Sequence, residues 1–169
     1  MEKDKKDLSL LLACLCSLSV RNEYCQAVVN DGALRCILDL LMDPDQSKDV
    51  IRDSLKLVKT LAGNDNVKRD VAESNGIPIV VKAMAAHIGN KAIAKWGCDA
   101  LTAVCLRSPE NSKQIMEAGG AILITSVLRT HIENASIVVR IFTHNAFLTT
   151  IMVQNYVQNA IIHLRMKMP

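Results

Sequence analysis

The chain of 169 residues has few aromatic residues, few glycines and prolines, and no long apolar run. Only one Trp, two Tyr and two Phe are present, so any hydrophobic core must consist mainly of aliphatic side chains. The scarcity of glycine and proline favours helices. The longest apolar run, Leu10–Cys16, is far shorter than the roughly 20 residues that a membrane-spanning helix requires. We therefore expect no membrane partner.

The sequence also lacks a strong net charge and the features of a signal peptide. A formal charge of +3 is too small to indicate nucleic-acid binding by itself, and Met1–Asp7 carries both signs of charge, unlike a signal peptide. Six cysteines lie among apolar helical residues, where we expect reduced, buried thiols. The sequence thus predicts an intracellular protein, cytoplasmic, nuclear or both. The cysteines are Cys14, Cys16, Cys25, Cys36, Cys98 and Cys105.

No catalytic, cofactor-binding or metal-binding pattern is present. Neither His87 nor His131 has a second metal ligand three or four residues away. Gly119-Gly120 precedes a helix but lacks the further glycine and the lysine of a phosphate-binding loop. No Ser-His-Asp or Cys-His arrangement has a defensible spacing. We predict that the protein is not an enzyme and needs neither a cofactor nor a metal ion.

An internal repeat of about 44 residues is the strongest positive feature. Each repeat contains a short polar helix, an apolar second helix and a long third helix. We expect the asparagine of each repeat to cap its first helix and the glycine to adopt a positive φ between the first two helices. The apolar stripe of each third helix must then be buried against neighbouring repeats. The markers are Asn22, Asn66 and Asn111, with Gly32, Gly76 and Gly120.

The repeats predict a single all-α domain over residues 1–169. Residues 1–20 are a partial repeat, 21–63 repeat A, 64–106 repeat B, 107–150 repeat C, and 151–169 an atypical C-terminal cap or tail. Beyond Glu133 the chain has no acidic residue, and the third-helix stripe of repeat C is interrupted by Asn145. Two interpretations remain open there: Gln154–Met166 folds over the end of the stack, or it forms a frayed tail.

The repeats resemble armadillo repeats. NSKQIMEAGGAI (Asn111–Ile122) is close to the family pattern of Asn, an apolar pair, Glu-Ala-Gly and then a small and an apolar residue, and NGIPIVVKAM (Asn75–Met84) matches the start of its second helix. The similarity covers Arg21 to about Arg140 and also the single helix of the partial repeat. It implies a right-handed α-α superhelix that binds an extended peptide in a concave groove lined by third helices. HEAT repeats, the nearest alternative, lack the short first helix.

The resemblance does not extend to the peptide-binding pair of the nuclear-import receptors. Those proteins hold basic peptides with a Trp and an Asn four residues apart on each third helix. The equivalent positions here are Lys56 and Thr60 in repeat A and Asp99 and Ala103 in repeat B, and Trp96 lies one turn earlier. The resemblance therefore implies the groove but argues against import-cargo binding.

We predict that the groove is the binding site and that its partner is a protein or peptide. Basic side chains there suit acidic groups or peptide carbonyls, and Trp96 suits an apolar anchor. The alternative for single residues is that the charges solvate a helix face and Trp96 packs between helices. The alternative function, a nucleic-acid adaptor using Arg52, Lys56, Lys59 and Lys95, is less favoured, and the terminal faces of the stack permit self-association. The predicted groove residues are Arg52, Lys56, Lys59, Thr60, Lys95, Trp96, Asp99 and Thr102.

Overall fold

The structure, a computed structural model, describes residues 2–135 and 137–138. Nine α-helices follow one another in this part of the chain, and it contains no strand. The helices are α1 (Glu2–Leu18), α2 (Asn22–Asn30), α3 (Ala33–Met42), α4 (Lys48–Leu61), α5 (Asp65–Glu73), α6 (Gly76–Ala86), α7 (Lys91–Cys105), α8 (Pro109–Glu117) and α9 (Gly120–Thr130).

Helices that hold the same position in successive repeats stack on one another. The third helices α1, α4 and α7 pack side by side, and so do the second helices α3, α6 and α9 and the first helices α2, α5 and α8. Within repeats, α3 packs on α4 and α6 packs on α7. This three-layered stack is the all-α solenoid of three-helix repeats that the sequence predicts. The division into a partial repeat and repeats A, B and C stays a prediction.

Hydrogen bonds between adjacent repeats join residues that lie about one repeat apart in sequence. Gln26 on α2 donates to Asp70 on α5 over 3.2 Å, and the His131 ring lies 2.7 Å from the carbonyl oxygen of Ile88. These pairs are separated by 44 and 43 residues, the period of the sequence markers. The same relation holds for Ser9 with Asp53, Cys16 with Thr60, and Asn111 with Lys68.

The third helices bury the apolar stripes that their spacing predicts. In α4 and α7 every stripe residue is at most 3% exposed, so the stripes form the centre of the core. Burying one such aliphatic side chain contributes about 1.5–3 kcal/mol. The residues are Ile51, Leu55, Val58 and Leu61 in α4, with Ile93, Cys98, Leu101 and Val104 in α7.

Helix α1 leaves part of its equivalent stripe uncovered. Leu18 ends α1 as Leu61 ends α4, yet Leu18 is 64% exposed and Leu61 is fully buried. Leu11 is 56% exposed on the same side of α1, and Cys14 between them is also exposed. The equivalent positions are thus buried in the core on α4, whereas on α1 they form an open apolar face. Self-association through this face stays a prediction.

The prediction that the repeated asparagines are N-caps is wrong. Asn22 is the first residue of α2, after an N-cap at Arg21 that makes no side-chain hydrogen bond. Helix α5 is capped by Asn64, whose Oδ1 accepts from the backbone N–H of Asn66 over 2.8 Å. Helix α8 is capped by Ser108. The true caps precede the marker asparagines by one to three residues.

The Asn111 side chain instead links neighbouring helices. Its amide is buried and donates to the carbonyl oxygens of Val104, at 3.0 Å, and Lys68, at 3.3 Å. It thereby gives a partner to the carbonyl of Val104 in the last turn of α7, which matters because a buried unpaired carbonyl costs about 1–3 kcal/mol. It also adds a hydrogen bond to α5. Asn111 therefore connects repeat C to repeat B.

The glycine markers also have a different physical role from the one predicted, except at Gly32. Gly32 adopts a φ of 88°, as expected, but in the next two repeats the left-handed residue comes one position earlier, at Asn75 and Gly119. Gly76 and Gly120 are needed because the backbone approaches them closely. A Cβ atom on Gly76 would lie 2.7 Å from the carbonyl oxygen of Val71.

The third helix of repeat C beyond residue 138 and the predicted C-terminal cap, Gln154–Met166, lie outside the described residues. Asn145, which interrupts the predicted stripe of repeat C, falls there as well. The two interpretations of the C-terminal segment therefore stay predictions.

Candidate functional site

The predicted groove residues lie on two adjacent third helices, α4 and α7, which we call together the α4–α7 surface. Ser47 caps α4 and Asn90 caps α7, each accepting hydrogen bonds from the first turn. These caps start both helices at equivalent points, so their outward-facing residues come into register. Lys59 is exposed and the other seven are half-buried: Arg52, Lys56, Thr60, Lys95, Trp96, Asp99 and Thr102.

Trp96 is the centre of the α4–α7 surface. Its ring packs against the core, as expected if Trp96 packs between helices. The ring also remains partly exposed, as contact with an apolar anchor of a partner would require. The Lys95 ammonium lies 4.5 Å from the ring centroid, and the Lys56 ammonium, from the neighbouring repeat, lies 5.6 Å away. A cation over an aromatic face is attracted by about 0.5–1 kcal/mol at exposed sites. The packing of α4 on α7 thus brings two cations and an apolar ring together.

Arg52 is engaged by carboxylates of its own helix. Its guanidinium donates to Asp49 Oδ1 over 2.6 Å and to both carboxylate oxygens of Asp53 over 2.8 Å. The hydrogen bond to Asp53 raises the pKa of Arg52. Arg52 therefore serves chiefly to neutralise its neighbours, unlike Lys56, Lys59 and Lys95, which form no ion pair among the described residues. Sequence reasoning missed both acidic partners, although Asp49 has the i,i+3 spacing of a helical ion pair.

Asp53 connects the first two third helices. Its carboxylate is largely buried, and Ser9 Oγ on α1 donates a hydrogen bond to it. Burial raises the pKa of the Asp53 carboxyl, but hydrogen bonds from Arg52 and Ser9 outweigh it and hold the pKa below its usual value. A carboxyl whose pKa is lower in the folded state stabilises the fold above its unfolded pKa of about 3.9. This contribution is lost as the pH falls through the folded pKa.

We expect Asp53→Asn to lower the unfolding free energy at pH 7 by about 1–3 kcal/mol, because charge-assisted hydrogen bonds are lost. As the pH falls below about 4 the carboxyl is protonated first in the unfolded state, so the difference from wild type should shrink, and it should vanish once the pH has passed the lower folded pKa. Urea unfolding at pH 7 and at pH 3 measures both values. A difference that stays constant with pH would contradict the role assigned to the Asp53 charge.

The two predicted threonines are less available to a partner than their positions suggest. Thr60 Oγ1 donates to the carbonyl oxygen of Lys56 over 3.0 Å, and Thr102 Oγ1 donates to that of Cys98 over 2.7 Å. Each hydroxyl proton is therefore used within its own helix.

The buried thiols of this region are poor nucleophiles. Burial, with a smaller contribution from the Asp99 charge, raises the pKa of Cys98 to about 12. Burial likewise raises the pKa of Cys16 on α1 and of Cys25 on α2. Because the thiolate is the reactive form, these three cysteines remain protonated and inert at neutral pH. All six cysteines are free thiols.

A second cleft, of about 550 Å³, lies between α5 and α8 on the layer of first helices. Lys68 lies in it with only 5% of its side chain exposed. Its ammonium donates to Asp65 Oδ1 over 2.6 Å and to the carbonyl oxygen of Leu106 over 3.1 Å. Hydrogen bonding to Lys68 lowers the pKa of Asp65. Lys68 thus ties α5 to the end of α7 and has a structural role.

Among residues 2–135 and 137–138, no group of three or more His, Cys, Asp or Glu side chains is placed to hold a metal ion. Over the same ranges, no helix combines the length and the apolar character that crossing a bilayer requires.

Comparison with known proteins agrees with the geometry. A family model described as the GAC ARM domain matches residues 4–143. Armadillo repeat-containing protein 6 from Homo sapiens is 35% identical over 116 residues, which cover 64% of this chain and 23% of that protein. The Pongo abelii protein of that name is 35% identical over 114 residues, 63% of this chain and 23% of its own. The Drosophila melanogaster homolog is 30% identical over 117 residues, 69% of this chain and 25% of its own.

The chain therefore spans about a quarter of the length of the curated relatives that it matches. No solved structure gives a significant match.

Proposed function

Because the chain belongs to the armadillo-repeat family, whose members are interaction scaffolds and generally not enzymes, we propose that it is a non-enzymatic protein-binding module. Its partner is an extended peptide or a helix that lies along the α4–α7 surface. The observation that carries this proposal is the convergence of Lys56, Lys95 and Trp96 from two adjacent repeats. A partly exposed aromatic ring flanked by cations has the composition of an interface hot spot.

The spacing of the third helices favours an extended partner. Packed helices lie roughly 8–10 Å apart, and an extended chain rises about 3.3 Å per residue. About three residues of such a chain then correspond to one repeat, so one segment contacts successive third helices. The lysine ammonium groups provide hydrogen-bond donors for the carbonyl oxygens of its backbone.

The cellular location that we propose is the cytoplasm or the nucleus. Four of the six free thiols are buried among apolar residues, and such thiols are typical of proteins in reducing compartments.

Peptides selected from a random library on the wild-type protein provide the test. We expect Lys56→Ala and Trp96→Ala each to weaken their binding at least tenfold, because truncating a hot-spot residue costs roughly 2 kcal/mol or more. The exposed residues Arg35 and Lys82 lie on second helices, so Arg35→Ala and Lys82→Ala are the matched controls and should bind as wild type does. Isothermal titration calorimetry measures the affinities, and thermal melts verify that each variant is folded.

Selected peptides that bind all four variants as tightly as wild type would contradict the location of the site.

A further inference from the structure

Charge is distributed unevenly between the helix layers. Helices α4 and α7 together carry six Lys or Arg residues and three Asp residues. Each of the first helices α2, α5 and α8 instead carries one more acidic than basic residue. The stack therefore has a basic layer and an acidic layer, although the whole chain has a formal charge of only +3. The α4–α7 surface belongs to the basic layer.

The predicted lysines of the α4–α7 surface differ from Arg52 in their contacts with carboxylates. Arg52 is ion-paired with Asp49 and Asp53. Over the described ranges, by contrast, none of Lys56, Lys59 and Lys95 forms an ion pair, although the Lys56 charge helps to lower the pKa of Asp53. Cation–π contacts hold the Lys56 and Lys95 ammonium groups close to the Trp96 ring. Such a cluster favours a partner of opposite charge.

We infer that the partner on the α4–α7 surface is an acidic protein segment, rich in aspartate or glutamate, with an apolar side chain that contacts Trp96. Its carboxylates pair with Lys56, Lys59 and Lys95, and the apolar side chain covers the exposed part of the ring. This inference rests on the proposed function, because it names the chemistry of the partner that binds at the same surface.

One feature favours an acidic protein segment over nucleic acid. Single-stranded nucleic acid binds best where several aromatic side chains stack successive bases, whereas α4 and α7 together carry one aromatic residue, Trp96. A single partly exposed ring instead suits one apolar side chain of a protein segment.

Two synthetic peptides of about twelve residues test the inference. One contains several glutamates and a central leucine, and the other has glutamine at every glutamate position. We expect wild type to bind the glutamate peptide at least tenfold more tightly than the glutamine peptide, with the preference falling as salt is added. The double substitution Lys56→Glu/Lys95→Glu should abolish the preference and favour a lysine version of the peptide.

Arg35→Glu/Lys82→Glu is the matched control, because it changes the net charge equally but lies on α3 and α6. This control should retain the wild-type preference. Equal binding of the glutamate and glutamine peptides would overturn the inference, and so would equal losses in both double variants. Tighter, Lys56-dependent binding of a single-stranded oligonucleotide would also overturn it and favour a nucleic-acid partner.

The proposed function is tested separately. Library-selected peptides that are neutral but lose affinity on Trp96→Ala would support the binding surface while overturning its preference for acidic segments.

Discussion

Replacing Leu61 with aspartate is expected to lower the unfolding free energy by about 4 kcal/mol or more, whereas Leu18→Asp should change it by less than about 1 kcal/mol. Leu61 is fully buried between stacked helices, and Leu18, at the equivalent end of α1, is 64% exposed. Aspartate at position 61 loses the transfer free energy of a buried leucine and also buries a charge. Since domains are stable by only about 5–15 kcal/mol, much of repeat A should unfold.

The pair is matched because both residues are the last residue of a third helix. Any unfavourable interaction of the new carboxylate with the helix dipole is therefore similar in the two variants. Urea unfolding followed by circular dichroism gives both free energies. Similar losses in the two variants would mean that the third helices do not stack in the register described.

The second large effect that we expect is that of Gly76→Ala. It should lower the unfolding free energy by about 1–3 kcal/mol, which is typical of overpacking. The new methyl group would lie 2.7 Å from the Val71 carbonyl oxygen and 2.9 Å from Val71 Cγ1. A backbone oxygen cannot move aside as a flexible side-chain end can, so the turn between α5 and α6 must shift. For a chain of this size the melting temperature should fall by roughly 2–4 °C per kcal/mol.

Gly89→Ala is the control, since a Cβ atom at Gly89 meets nothing within 4 Å. It should be neutral or slightly stabilising, because alanine restricts the unfolded chain. Differential scanning calorimetry compares the two variants. A wild-type melting temperature for Gly76→Ala would contradict the close approach of α5 to this glycine.

The fold was predictable because the spacing of apolar residues and glycines repeats along the sequence. Apolar residues at helical spacing defined the buried stripes of α4 and α7, and repeated glycines located the breaks between first and second helices. The roles of the markers were not predictable, because they depend on contacts between repeats. Asn111 donates to a carbonyl that lies 43 residues away, and spacing alone could not distinguish this role from capping.

The candidate site was predictable in position but not in its electrostatics. Helical spacing placed Lys56, Lys95 and Trp96 on the outward side of third helices, where they lie half-buried. Spacing could have indicated the pairing of Arg52 with Asp49. It could not reveal the pairing with Asp53, because Ser9 on α1 helps to orient that carboxylate. The excess of positive charge on α4 and α7 could have been counted from the sequence once each helix had been assigned as the first, second or third of its repeat.

Trp96 is the only tryptophan in the chain, so its fluorescence emission reports directly on the proposed site. The most direct test is a titration of the wild-type protein with a library-selected peptide that lacks tryptophan, followed by this emission. We predict a saturable change in intensity or wavelength whose midpoint equals the calorimetric dissociation constant. A peptide that binds calorimetrically while the emission of Trp96 stays unchanged would contradict the assignment of the α4–α7 surface as the binding site.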